Sequence, residues 1–503
     1  MKPSLALFAE PVLVSARRLC WLSFWLLLAP MGVYVFSLNR GQTLVLLQLS
    51  LLVVAVIGLG VVNGETAGVL YRHRRSGTGQ SRGFIQQLLS QVTRSKPGSA
   101  RRIKDHQPDA IASLPFVSVV IAAYLPNEQD IIEETLHHWL TQVVSPEAGW
   151  EVILAYNTPH PLPVEARLRQ LAHQYPDLVL LPVAHSRSKA ENLNAALQQV
   201  RGEMTCIFDA DHHPAANCLT LAWKWLGQGQ YDGVQGRNII RNARDNWLTQ
   251  LVAVEFECAY GVSHYGRSLL ADTALFGGSN GYWRTAALRE LGFSPKKLTE
   301  DIDVTVRGLL KGYRLVHDPA IITTELAPTH LRGLWLQRQR WSQGWLEVAW
   351  IYTGRVARSP YLDPVQKTYW LMMLLFSQGF YPLVWQVVPL MLSIHLSMSD
   401  RDLTFENLNL IMMGLLTVSV MFQVALAMQL RPASCSYSRR HGVLYCILSP
   451  VYFWLKVLIG MVSLYNHFCG SRVWHVTART PTLPTKGGLG LKPAKKAYSI
   501  KSR

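Results

Sequence analysis

Asp209 and Asp211 stand one residue apart, directly after the apolar run Cys206-Ile207-Phe208, and His212-His213-Pro214 follow. Two carboxylates at the end of a buried strand suit a hard divalent cation, Mg2+ or Mn2+, held against a diphosphate. Such a cation prefers oxygen and leaves coordination positions for phosphate, so one or two carboxylates suffice. A D-x-D triplet is common on solvated loops, and its place after a strand is what gives it weight. His212 and His213 read as polar loop residues rather than further ligands, given that oxygen preference.

Thr299-Glu300-Asp301-Ile302-Asp303 offers the next chemistry. A hydroxyl that attacks carbon must lose its proton, and a nearby carboxylate is the usual base. Asp301 is the candidate, with Glu300 and Asp303 in support. The same residues also suit the start of a helix over Ile302 to Lys311, with Thr299 or Asp301 as its cap. Gln337-Arg338-Gln339-Arg340-Trp341 lies in an amphipathic stretch from Thr329 to Trp350. On a helix Gln337, Trp341 and Trp345 share a face. Tryptophan gives a flat platform for a pyranose, and arginine clamps phosphate oxygens. A tryptophan belt with snorkelling arginines on an interfacial helix fits the stretch equally well.

The elements that must position these residues alternate strand and helix from Pro115. Phe116 to Ala123 is a continuous apolar run, as in a parallel strand covered on both faces. Further strands are expected over Glu151 to Tyr156, Leu178 to Val183 and Met204 to Phe208. Asn127 is expected to cap a helix beginning near Glu128, and Val164 to Gln174 forms another. Ser188-Lys189-Ala190-Glu191 has the spacing of a capping box. This pattern predicts a doubly wound sheet with ligands at the carboxyl ends of its strands, where Asp209 and Asp211 sit.

Of the 503 residues, 49% are hydrophobic and 16% charged, a membrane-protein balance. The net charge of +17 is concentrated beside apolar segments and in the tail. Anionic lipid headgroups account for that placement, so nucleic-acid binding is set aside. Seven scattered cysteines without metal-ligand spacing predict free thiols. Cys20 to Leu38 and Thr43 to Val62 read as a spanning hairpin. Arginines at 17, 18, 72, 74 and 75 place both its ends, and the region between the spans, on the cytoplasmic side. Tyr369 to Leu396 and Leu408 to Leu430 are further expected spans, joined by an external acidic loop around Asp400. Val443 to Leu464 carries Pro450 and Lys456, and a mid-membrane lysine costs about 2.5 kcal/mol or more without a partner. An interfacial or re-entrant segment is therefore expected there.

Lys189-Ala190-Glu191-Asn192-Leu193-Asn194, Asp209-Ala210-Asp211, Gly277-Gly278-Ser279-Asn280-Gly281, Thr299-Glu300-Asp301 and Gln337 to Trp341 occur in an order that resembles membrane-bound family 2 glycosyltransferases. These are the cellulose, hyaluronan, chitin and poly-N-acetylglucosamine synthases. The resemblance runs from about Pro115 to Trp350, and Q-x-x-R-W marks the processive members. It implies a cytoplasmic α/β GT-A (Rossmann-like) domain flanked by N- and C-terminal transmembrane helices. It also implies inverting, metal-dependent polymerisation of sugar from a UDP-sugar, with export of the growing polysaccharide, in the bacterial inner membrane. Accessory export subunits would be partners, along with membrane lipid.

By the same resemblance, Lys189 and Asn192 would contact the nucleotide. Asp209 and Asp211 would bind metal and diphosphate, Asp301 would be the base, and Gly278 and Ser279 would line the acceptor site. Gln337, Arg338 and Arg340 would hold the diphosphate, with Trp341 under the acceptor sugar. Trp474-His475-Val476-Thr477-Ala478-Arg479 is similar to a gating loop, through which Thr477 and Arg479 would touch the diphosphate. In place of the usual paired aspartate after the second strand stands Tyr156-Asn157, and Asn157 can still hydrogen-bond a base edge. The expected organisation is a membrane hairpin over 1–70, a basic linker over 71–112 and the transferase domain over 113–328. Interfacial helices over 329–366, a membrane region over 367–465 and a basic tail over 466–503 follow. Single transfer to a lipid acceptor and a catalytically dead membrane scaffold are the rival expectations.

Overall fold

The computed structural model describes residues 41–75, 113–385, 387, 404–433, 435 and 437–470. The expected first span Cys20 to Leu38, most of the linker, the acidic loop to residue 403 and the Thr477/Arg479 tail motif lie outside these residues.

Four strands arise where the apolar runs demand them. β1 (Val117–Tyr124), β2 (Trp150–Asn157), β3 (Leu178–Pro182) and β4 (Met204–Asp209) are parallel and ordered β3-β2-β1-β4. All but the last residue of β1 and of β2 are buried, so both sheet faces are covered. Register sets Tyr124 beside Asn157 and Ala122 beside Asp209. The carboxyl ends of β1, β2 and β4 thus form one edge, the ligand edge of an open α/β sheet.

The sheet continues beyond that parallel half as a mixed one. β5 (His213–Pro214), β6 (Gly233–Ile240), β7 (Gly281–Arg284) and β8 (Leu315–Glu325) complete eight strands in the order β3-β2-β1-β4-β7-β6-β8-β5. β7 runs antiparallel to β4, with Gly281 opposite Ile207, and this delivers Gly278 and Ser279 to the side of Asp209. β6 and β8 are parallel, with an irregular register at Gly236/Arg237.

Helices follow local signals. Ser188 caps α1 (Lys189–Leu197) by accepting from the Glu191 N–H at 3.2 Å, which bears out the capping reading. Asn127 does not cap a helix: it lies inside a single turn, Leu125–Glu128, and the next helix begins at Ile132. That turn starts at once after β1 because Pro126 sits in its first positions, where a missing N–H costs nothing. Helix Trp247–Phe256 passes through a π segment, Glu257–Ser263, into helix His264–Ala271. α2 (Glu300–Leu310) carries the acidic triplet in its first turn. α3 (Leu331–Arg358) carries Gln337 to Trp341.

Three of the described helices are long and apolar enough to cross a membrane: Gln48–His73, Leu408–Gln429 and Arg439–Phe468. The first belongs to a helix that runs on to Arg75. Large apolar side chains stand exposed on the other two, including Val418 at 63% and Val451 at 72%. In water such surface would be costly, and hydrocarbon is its natural surrounding. The segment expected to be re-entrant is one unbroken helix, Arg439–Phe468, with Pro450 inside it. Its Lys456 has a partner, since Nζ lies 3.2 Å from Glu255.

Candidate active site

A cleft opens at the carboxyl edge of β1, β2 and β4. Its walls include Asn157, Lys189, Asn192, Asp209, Asp211, Gly278, Ser279, Glu300, Asp301, Gln337, Arg340 and Trp341. Twelve residues singled out from sequence, spread over 185 positions, therefore meet in one place.

Strand β4 ends in Asp209, and a tight turn brings Asp211 and His212 back beneath it. Ligand atoms of these three residues lie within 4.8 Å of one another, so they can hold a divalent cation. The donor set of two carboxylates and one imidazole fits Mn2+ or Mg2+ chemistry. His212 is therefore no loop filler. It is fully buried, 3.2 Å from Asp211 and 3.4 Å from Glu325, and the nearby carboxylates outweigh burial and raise its pKa. His213 turns the other way and stacks on His138 with centroids 4.6 Å apart. Asp211 is also fixed by the Leu326 N–H at 3.0 Å.

Lys189 stands at the centre of the charge. Its ammonium pairs with Asp209, donates to the Gly278 carbonyl at 2.6 Å and lies 3.8 Å from Glu300. Burial works against ionisation of both groups. The opposite charges prevail, raising the lysine pKa and lowering that of Asp209. Asn192 donates to Asn157 at 2.8 Å, and Asn157 donates to the Ser186 carbonyl at 3.0 Å. This amide pair flanks the end of β2, on the same edge as Tyr124 and Glu128.

Asp301 faces the cleft from the first turn of α2. Burial, and then the adjacent charge of Glu300, push its carboxyl up to about 7, against Lys189 and a hydrogen bond from the Ile302 N–H at 2.9 Å. A carboxylate tuned to that range is a competent proton acceptor near neutrality. Gly278 makes this placement possible. Its φ is +84°, and a Cβ there would fall 2.9 Å from an Asp301 oxygen. Thr299 occupies the cap position without a side-chain cap bond. Asp303 leaves the cleft, binding Arg307 at 2.7 Å and accepting from the Tyr352 hydroxyl at 2.9 Å. It ties α2 to α3 and takes no part at the cleft.

On α3, Gln337, Arg340 and Trp341 reach the cleft. Gln337 Oε1 and Arg340 Nε are buried with no hydrogen-bond partner. Unpaired polar atoms in a cleft wall are what an anionic, hydrogen-bonding ligand would satisfy. Arg338 departs from expectation. It is not in the cleft wall; its guanidinium pairs with Glu255 at 2.6 Å and lies 4.2 Å over the Trp341 ring. Glu255 is also bound by the Tyr452 hydroxyl at 2.8 Å and by Lys456. Burial alone would raise its pKa, yet Arg338 and Lys456 lower it to about 2. Arg338 thus packs on Trp341 from outside the cleft wall.

The cleft also contains residues that sequence reasoning passed over: Tyr124, Glu128, Asn238, Tyr260 and Glu325. Glu128 follows β1 directly, and its place after a strand end on the ligand edge was the available signal. Asn238, Tyr260 and Glu325 arrive from β6, the π segment and β8, with no local signal.

Two family models match the chain, glycosyl transferase family 2 over residues 118–291 and glycosyl transferase family group 2 over residues 205–455. Both overlap the cleft. The protein is a glycosyltransferase built on family 2 domains. A probable glycosyltransferase, YdaM of Bacillus subtilis, is 27% identical over 46% of this chain and 55% of its own length. The β-monoglucosyldiacylglycerol synthase of a Nostoc species is 29% identical over 48% and 52%. A Staphylococcus aureus poly-β-1,6-N-acetyl-D-glucosamine synthase is 26% identical over 48% and 58%. The chain thus spans about half the length of the curated relatives it matches. The mannosyltransferase of Pyrobaculum calidifontis, solved with GDP-Man and Mn2+, superposes with a TM-score of 0.50 at 20% identity, covering 83% of this chain and 99% of that one. This likeness confirms the GT-A fold.

Proposed function

We propose that this glycosyltransferase works at the cytoplasmic face of a bacterial inner membrane, taking hexose from a UDP-sugar of the glucose or N-acetylglucosamine type and inverting the anomeric centre. One observation carries the reading: the Asp209/Asp211/His212 cluster and the Asp301 carboxyl face a single cleft, with Lys189 between them. A bound Mg2+ or Mn2+ on Asp209 and Asp211 would neutralise the leaving diphosphate. Asn157 and Asn192 hold the base edge. Lys189, Gln337 and Arg340 take phosphate oxygens. An acceptor hydroxyl, its sugar stacked on Trp341, loses its proton to Asp301 as its oxygen bonds to the anomeric carbon and the nucleoside diphosphate leaves. Direct displacement with one base inverts the centre.

The Q-x-x-R-W set supports a growing, exported polysaccharide as acceptor, and the poly-N-acetylglucosamine synthase relative agrees with that. One observation favours the second reading, a lipid acceptor: Trp345, one turn beyond Trp341 on α3, lines a mainly apolar cavity together with Val61 and Val62 of a membrane-length helix. A donor screen on the full chain in membrane vesicles, with linkage analysis of the product, tests the proposal. Metal-dependent release of UDP is expected. Failure of every UDP- and GDP-sugar to release its diphosphate would refute the reading.

A further inference from the structure

A second cavity, of about 400 Å³, lies between four helices. Val61 and Val62 of the membrane-length helix Gln48–His73 form one wall, and Met372 and Met373 form another. Its size falls in the range of small-ligand sites. Its polar contribution is mainly one buried group: Glu65 accepts from Arg267 at 3.4 Å and from the Tyr369 hydroxyl, and Arg267 donates to that hydroxyl at 3.0 Å. These three satisfy one another, and apart from the hydroxyls of Ser263 and Ser342, the latter buried with no hydrogen-bond partner, the remaining wall is hydrocarbon and aromatic.

The position of this cavity gives it meaning. α3 lines both cavities. Gln337 and Trp341 face the donor cleft, and Trp345, one turn further on the same face, lines the apolar cavity with Ser342. One helical turn advances about 5.4 Å. The platform for the acceptor therefore lies within roughly a turn of a hydrocarbon-lined space. A polysaccharide, with hydroxyls on every residue, would leave most of its hydrogen bonds unmade there. An acyl chain has none of its own to make. The wall contributed by a membrane-length helix adjoins the one medium in which acyl chains are abundant.

We infer that this cavity seats the acyl chain of a hydroxyl-bearing membrane lipid, which is the acceptor of the sugar. The inference rests on the transferase reading above and, of the two acceptors weighed there, takes the lipid in place of the polysaccharide. The lipid hydroxyl oxygen bonds to the anomeric carbon, the bond from that carbon to the phosphate oxygen breaks, the diphosphate departs with the electron pair, and the hydroxyl proton goes to Asp301.

The experiment replaces Met373 in the full chain with a photo-cross-linking residue. The protein is reconstituted into phosphatidylcholine vesicles containing diacylglycerol and irradiated, and the adducts are identified by mass. Capture of diacylglycerol well above its share of the vesicle lipid is expected. Capture of both lipids in proportion to their abundance, capture of the chain's own apolar run Cys20 to Leu38, or no capture would each overturn the inference. In parallel, Val61→Phe should lower sugar transfer to diacylglycerol at least tenfold, with UDP binding reporting an intact fold. Undiminished transfer in a variant that binds UDP would also overturn it. Capture of diacylglycerol without turnover of any nucleotide sugar would sink the transferase reading and the acceptor role with it, leaving only a lipid site.

Discussion

The two cavities on α3 differ in how they are made. The donor cleft is centred on strand ends fixed by β register, Asn157 opposite Tyr124 and Asp209 opposite Ala122, and the starts of α1 and α2 bring Lys189 and Asp301 to them. Its charges are interlocked, with Lys189 shared between Asp209 and Glu300. The apolar cavity is built by helices packing side by side, and its one ionic group is closed on itself. A rigid sheet edge can hold charges to the tolerance that chemistry needs, whereas helix packing readily leaves a smooth apolar space. The donor side should therefore respond to small changes of charge and position, and the helical side to changes of volume.

The sharpest way to break that contrast is at the acidic cluster. Asp209→Asn with Asp211→Asn should lower sugar transfer about 10³-fold or more, and EDTA should do the same to the unaltered protein. Steady-state release of UDP reads this, and loss of less than tenfold would dissolve the distinction. Gly278→Ala comes next. Its methyl group would meet the Asp301 carboxylate and would strain a backbone at φ +84°. Displacing a base by about 1 Å costs on the order of 10²-fold in rate. Nucleotide binding should change far less, so kcat falls more than KM rises.

Arg338→Met probes the join between the regions. If Arg338 seats Trp341, the loss should be about tenfold, expressed mainly in KM for the acceptor, with donor KM nearly unchanged. A rise in donor KM instead would return Arg338 to the diphosphate. The smallest effect is a shift of pH dependence. Asp301 must be unprotonated to accept a proton, so kcat/KM should rise with pH through about 7. Glu300→Gln removes a negative neighbour that raises this pKa, and the rising limb should move to lower pH.

Much of the donor side was legible because its signals are local. Parallel strands buried on both faces read as unbroken apolar runs, and Asp209 follows one directly. Ser188 and Glu191 have capping-box spacing, and the Ser188 cap fixes Lys189 at the helix start. The rest depends on pairings that sequence does not record. β7 enters antiparallel between β4 and β6, and it is this insertion that brings Ser279 to the Asp209 N–H at 3.0 Å. Glu325 lies at the end of β8, whose pairing with β6 shifts register at Gly236/Arg237. For Arg338 the helical period already spoke: Gln337, Trp341 and Trp345 share a face, and Arg338 is turned about 100° from it. Lys456 looked unfavourable for a spanning helix because its partner Glu255 is 201 positions away.

The most direct measurement is on Asp301→Asn, comparing sugar transfer with UDP binding in the same preparation. Transfer should fall by about 10²- to 10⁴-fold, the range for loss of a general base, while the affinity for UDP stays within a few-fold. Transfer at the unaltered rate, or loss of nucleotide binding along with activity, would contradict the assignment of this carboxylate as the group that activates the acceptor.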